Sequence, residues 1–144
     1  MKITAFEDLE CWQEARKLTN MVFALTSRQS FKRGFRLIDQ ITGAAISVMN
    51  NIVEGFDSQS NAEFIRFLGY ARRSASEVQT CLYVALDNRL VDKSEFDETY
   101  QQAAKTRKFI DGLLRYLRSH RRKQDQQAKQ AQPAQLAQPR YDAH

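Results

Sequence analysis

Apolar residues recur along most of the chain at three- and four-residue spacing, which is the period of an amphipathic α-helix and not of a strand. Leu9, Trp12, Ala15, Leu18, Val22 and Leu25 form the first such stripe. It follows Thr4-Ala5-Phe6-Glu7, which fits a capping box, and the acidic Asp8 and Glu10, which suit the positive end of a helix dipole. The second stripe is Leu37, Ile38, Ile41, Ala45, Val48, Met49 and Ile52, with Ser30 ahead of it as a cap and Gly55 behind it as a left-handed terminator. Gly43 inside that stripe is a candidate for a close helix contact. Ser60-Asn61-Ala62-Glu63 is a second capping box, and Phe64, Phe67, Leu68, Ala71, Ala75, Val78, Leu82, Ala85 and Leu86 follow it. Asp92 and Glu95 open the last stripe, which carries Phe96, Tyr100, Ala103, Ile110, Leu113, Leu114 and Leu117. The pattern predicts helices over about 5–28, 31–54, 61–88 and 93–122. Each is about 24 residues, or about 36 Å, and the connections are short. The expected fold is therefore all-α, an antiparallel up-down four-helix bundle over residues 1–123.

Punctuation supports the same reading. The 144 residues include five glycines and two prolines, and both prolines, Pro133 and Pro139, come late. Turn-rich all-β folds and alternating α/β folds need more Gly and Pro than this. At this length folding buries about two-thirds of the unfolded surface, so a core forms without disulfide or metal. Cys11 and Cys81 have no CxxC partner or histidine cluster and read as small buried apolar residues. Glu7 interrupts the start before an apolar stretch of signal-peptide length, and no run of about 18 apolar residues occurs. A cytoplasmic protein with no membrane partner is expected. From Gln124 the sequence turns to Gln, Ala and Pro, with Leu136 and Tyr141 the large apolar residues, and residues 124–144 read as a disordered tail.

Catalytic chemistry is hard to place. His120 and His144 have no acid or nucleophile beside them, and there is no glycine-rich phosphate loop or metal-binding spacing. No catalytic residue, metal, cofactor or small-molecule substrate is assigned, and the chain reads as a non-enzyme. One polar pattern stands out: Gln40, Ser47, Asn51 and Glu54 at intervals of seven, four and three, matched by Glu63, Tyr70, Ser74 and Glu77. Glu54 is a candidate general base oriented by Asn51. The preferred alternative is a hydrogen-bonded seam, containing Gln40, Ser47, Asn51, Glu54, Ser74 and Glu77, that fixes helix register or a subunit contact.

Charge sharpens the picture. The net charge is +5, yet residues 1–100 carry 12 Lys and Arg against 14 Asp and Glu. Between 101 and 123, Lys105, Arg107, Lys108, Arg115, Arg118, Arg121, Arg122 and Lys123 face only Asp111. Lys108, Arg115 and Arg122 repeat every seven residues, away from Ala103, Ile110 and Leu117, and so form a cationic ridge along the last helix. Such a ridge suits the phosphate backbone of RNA or DNA. The predicted nucleic-acid-binding residues are Lys105, Lys108, Arg115, Arg118, Arg121, Arg122 and Lys123, with Arg72 and Arg73 as additions. The alternative is a protein-interaction module whose basic helix docks an acidic partner without touching nucleic acid. Phe109 and Tyr116 lie between ridge and core, where they stack on unpaired bases or bury against another subunit. Phe31 and Phe35 also suggest a homo-oligomer.

Phe6-Glu7-Asp8-Leu9, Trp12-Gln13, Gln40-Ile41, Ser47, Asn51-Ile52-Val53-Glu54-Gly55, Glu63-Phe64, Phe67-Leu68, Ala71, Ser74 and Glu77 resemble the bacterial four-helix bundles first noticed in intervening sequences of 23S ribosomal RNA genes. The resemblance covers about residues 5–118. It implies a small non-enzymatic bundle that assembles as a homopentamer and associates with nucleic acid. The accessory proteins of diversity-generating retroelements are similar bundles, which implies a reverse transcriptase and its template RNA as partners. Thr42 and Gly43 stand where that family usually has basic residues, and Arg73 where it often has glycine.

Overall fold

The chain enters its first helix through Asp8, whose Oδ2 accepts from the Thr4 N–H (3.0 Å), the Thr4 hydroxyl (3.1 Å) and the Ala5 N–H (3.1 Å). Those three donors hold the Asp8 carboxyl below its usual range. The residue that closes this turn is thus Asp8 and not Glu7, and helix α1 starts only at Glu10, running to Thr26. The computed structural model describes residues 2–136, and among them there are three further helices, α2 (Phe35–Asp57), α3 (Asn61–Asp87) and α4 (Lys93–Leu136), and no strand. The all-helical expectation holds.

Two core clusters show how the helices run. One gathers Leu18, Val22 and Leu25 from the end of α1, Ile41 to Ala45 from the start of α2, Val78 to Ala85 from the end of α3, and Phe96 and Ala103 from the start of α4. The other takes Leu9 to Ala15, Val48 and Ile52, Leu68 to Ala75, and Ile110 to Leu117. Ends and starts alternate at each end of the core, which only an up-down-up-down arrangement produces. Each helix packs on its sequence neighbours, and α4 closes back on α1.

Several local expectations change for physical reasons. Ser30 is not the cap of α2. It lies in a 3₁₀ turn (Gln29–Gly34), and its hydroxyl donates to the Leu90 carbonyl at 3.2 Å, tying that turn to the α3–α4 connection. Ser60 does cap α3, accepting from the Glu63 N–H at 3.3 Å. Asp92 and Glu95 form a full reciprocal box before α4, at 2.8 and 3.0 Å. Phe31, read as a candidate for a subunit contact, is fully buried in its own core, whereas Phe35 is 66% exposed.

The glycines also separate. Gly55 is inside α2, not beyond it, and the left-handed residue after the helix is Gln59, with φ 56°. A Cβ on Gly55 would lie 2.9 Å from a Phe64 ring carbon and 3.3 Å from the Phe64 Cα, so this glycine lets α2 and α3 approach. Gly43, expected at a close contact, has nothing within 4 Å of a Cβ position. Gly112 in α4 meets only the Arg115 guanidinium, at 3.9 Å. Chemical denaturation should therefore show opposite signs for one substitution. Gly55→Ala should cost about 1–3 kcal/mol by overpacking, while Gly112→Ala should stabilise by about 0.5–1 kcal/mol through helix propensity.

The largest departure is the length of α4. The segment expected to be disordered from residue 124 is helical as far as Leu136. Its Gln, Lys and Ala residues are good helix formers, and no proline precedes Pro133. A helix already nucleated in the bundle extends by one backbone bond per residue and does not need a buried face. Residues 124–131 are all exposed. The rest of the expected tail, residues 137–144, lies outside the described residues.

Candidate nucleic-acid interface

Beyond Leu117, the last core residue of α4, residues 118–131 are all exposed, so this stretch of the helix leaves the bundle without a packed side. Lys108, Arg115, Arg118, Arg121, Arg122 and Lys123 are exposed, and so is Lys129. Among the described residues none of these seven forms an ion pair. Asp125 is the single acid between Gly112 and Ala131. Because α4 is continuous, Lys108, Arg115, Arg122 and Lys129 make a seven-residue repeat over about 31 Å. Lys129 is the ridge residue that the sequence reading missed. Its seven-residue spacing continues the ridge into the segment whose Gln, Ala and Pro content reads as a tail.

Two of the predicted nucleic-acid-binding residues are engaged within the fold. The Arg72 Nε donates to Asp111 Oδ1 at 2.7 Å, bridging α3 and α4. The Lys105 ammonium lies 3.6 Å from Glu14 Oε1. Arg73 is exposed, with its guanidinium 5.8 Å from the Tyr70 ring centre. Arg107 turns inward, donating to Gln79 Oε1 at 2.9 Å. Tyr116 is 65% exposed and stacks on His120 at 6.3 Å, while Phe109 is half-buried against the core.

Glu14, buried on α1, anchors α4. The Gln102 amide donates to its carboxylate at 2.7 Å and to its backbone carbonyl at 3.0 Å. Burial pushes the Glu14 carboxyl up, but the Gln102 and Lys17 hydrogen bonds and the Lys105 charge outweigh it and hold the group below its usual range. A carboxyl depressed in the folded state contributes stability above its unfolded pKa and loses it as pH falls through the folded value. Glu14→Gln should therefore cost about 1 kcal/mol at pH 7, and urea unfolding should show that difference shrinking at pH 4 and below.

The polar seam forms in part. Ser47 and Ser74 hydroxyls hydrogen-bond across α2 and α3 at 3.0 Å, and the Asn51 amide donates to the Ser47 carbonyl (2.8 Å) and hydroxyl (3.0 Å). Gln40, Glu54 and Glu77 are exposed and stand outside it. With its amide on Ser47, Asn51 does not orient Glu54. Cys11 and Cys81 are buried in different clusters, and burial pushes the Cys11 thiol up to about 12 and raises that of Cys81. No described helix is long and apolar enough to cross a membrane, and no group of three or more His, Cys, Asp or Glu among the described residues could hold a metal.

The family described as 23S rRNA-intervening sequence protein matches residues 7–112. The chain belongs to that family. No curated protein matches it. The family match contains the Ser47–Asn51–Ser74 seam, the Gly55 approach and the Arg72–Asp111 bridge, but it stops before Arg115. Most of the ridge, and the whole of α4 outside the bundle, lie beyond the matched residues.

Proposed function

We propose that this protein is a non-enzymatic, RNA-binding scaffold or accessory subunit that acts through α4. The observation that carries the reading is the exposed row of cations from Lys108 to Lys129, unpaired among the described residues. Asp125 is the one carboxylate between Gly112 and Ala131 that could offset them. This row keeps its charge available, and Arg places two donors on each phosphate. The absence of any base-reading motif fits recognition of backbone and shape.

The scaffold is proposed to be a cytoplasmic homopentamer. Phe35, Ile46, Tyr83 and Val84 support self-association, being large apolar side chains exposed on α2 and α3. A reverse transcriptase with its template RNA is the proposed partner, on the strength of the resemblance to retroelement accessory bundles. Native mass measurement tests the pentamer, and recovery of a nuclease-sensitive complex tests the partner. For RNA itself, contact with about five phosphates gives a log–log salt slope of about −3.5 for single strands. Filter binding across 50–300 mM salt should return that slope, and a flat line or no binding at the lowest salt would remove the proposal.

A further inference from the structure

Between the N-terminal segment and α4 runs a groove of about 800 Å³. Its α4 wall consists of Lys105, Lys108, Phe109, Gly112, Leu113 and Arg115, so three exposed cations, one of them, Lys105, beside Glu14, border two apolar side chains. Gly112 keeps this wall open, because no side chain stands between Phe109 and Leu113 on one side and the Arg115 guanidinium on the other. The opposite wall is Ile3, Leu9 and Cys11 with the carboxylates of Asp8 and Glu10, the Asp8 Oδ2 already accepting from Thr4 and Ala5 so that its Oδ1 and the Glu10 oxygens are the acceptors left for a ligand. The groove thus has an apolar floor, cations along one lip and hydrogen-bond acceptors along the other.

A ligand suited to it carries an anion, a flat apolar body and N–H donors on the side away from the anion. An acidic peptide has the anion but is repelled by Asp8 and Glu10, and a bare phosphate does not use the floor. A nucleotide has all three features, since base amino groups donate to carboxylates and base faces stack on aromatic rings. The volume falls in the range that holds small ligands. We propose that this groove takes one unpaired nucleotide, its phosphate on Lys108 and Arg115, its base against Phe109 and Leu113, and its amino edge toward Asp8 and Glu10. The inference rests on the nucleic-acid reading of α4 and adds to it that single-stranded segments are preferred to duplex. The base sits on the proximal half of the ridge, and the distal half contributes phosphate contacts alone.

The test compares the full chain and its Gly112→Leu variant, which fills the groove and leaves every charge in place. Each is titrated with single-stranded RNA, with the same strand made abasic, and with the matching duplex. The wild-type chain should bind the intact strand about ten-fold more tightly than the abasic strand, the gain of one stacked base. Gly112→Leu should erase that preference without changing the salt slope. In parallel, ultraviolet crosslinking of the wild-type chain to a cytidine strand, whose bases carry the amino group, should label the tryptic peptide from Phe109 to Arg115. Equal wild-type affinity for intact and abasic strands, with the steep salt slope retained, overturns the groove and leaves the ridge standing. A preference that survives in Gly112→Leu also overturns the groove, as does label confined to peptides beyond Arg115. A Gly112→Leu chain of altered native mass would overturn it too, because the groove would then be a contact between copies. No binding of any strand at low salt overturns both the groove and the RNA reading. Should Gly112→Leu fail to fold, the crosslink and the abasic comparison on the wild-type chain still decide.

Discussion

Reversing Arg115, Arg118 and Arg122 together to Glu should cut RNA affinity at 50 mM salt by at least about 100-fold while the bundle stays folded. All three side chains are exposed, and none takes part in an ion pair among the described residues. Exposed substitutions of this kind change stability by about 0.5 kcal/mol or less. Each lost phosphate contact removes about 1 kcal/mol in solvent, so three remove about 3 kcal/mol, or two orders of magnitude in affinity. The added repulsion makes the loss larger. The salt slope should also flatten by about 2, from three fewer released counterions. Arg72→Gln is the internal comparison. It removes one positive charge, but one already placed on Asp111 at 2.7 Å, so the slope should barely move. Circular dichroism confirms the fold, and a reversed protein that binds like the wild type would sink the ridge. A complex with an acidic protein, resistant to nuclease yet lost on the same reversal, would instead favour the protein-docking alternative.

The helices were readable because each core stripe reflects a global constraint. Leu68, Ala71, Ala75, Val78 and Leu82 must share a face if α3 packs at all, and periodicity reports that directly. Helix ends are less determined, because several nearby residues can satisfy the same orphan backbone groups. Ser30 has the chemistry of a cap and uses it on Leu90, 60 residues away. Gly55 has the look of a terminator, but its role is set by Phe64 on another helix. In both cases the deciding partner is distant along the chain, and no local pattern contains it.

The candidate site divides in the same way. The cationic ridge was legible since charge and seven-residue spacing are properties of one helix. Its extension to Lys129 is not legible from apolar patterning, because an exposed helix satisfies its backbone without burying a face. Which cations are neutralised could not be read. Glu14 lies about 90 residues from Lys105, and only the closure of α4 on α1 brings them to 3.6 Å. The groove was out of reach for the same reason, as its walls come from the two ends of the bundle sequence. The seam was half legible, with Ser47 and Asn51 of α2 at the spacing that faces Ser74 of α3, and with Gln40, Glu54 and Glu77 rotated into solvent.

Phe31→Ala should be the most destabilising truncation to alanine among the described residues, costing about 3–5 kcal/mol. Phe31 is the largest fully buried side chain, and it enters the core from the 3₁₀ turn between α1 and α2. There it packs in the cluster that contains Leu18, Val22, Leu82 and Leu90. Removing the ring leaves a cavity that four helix ends and a connection must collapse around, and Ser30 beside it fixes that connection to Leu90. For a domain with about 5–15 kcal/mol in hand, the loss should lower the thermal midpoint by about 10–15 °C. Phe35→Ala removes the same ring four residues later, at a position 66% exposed, and should cost about 0.5 kcal/mol or less in the isolated chain. Calorimetry of both variants at one protein concentration separates the roles. If Phe35→Ala proves nearly as costly, and its cost falls on dilution, the exposed ring is covered by a second copy and the self-association proposal gains its first contact residue.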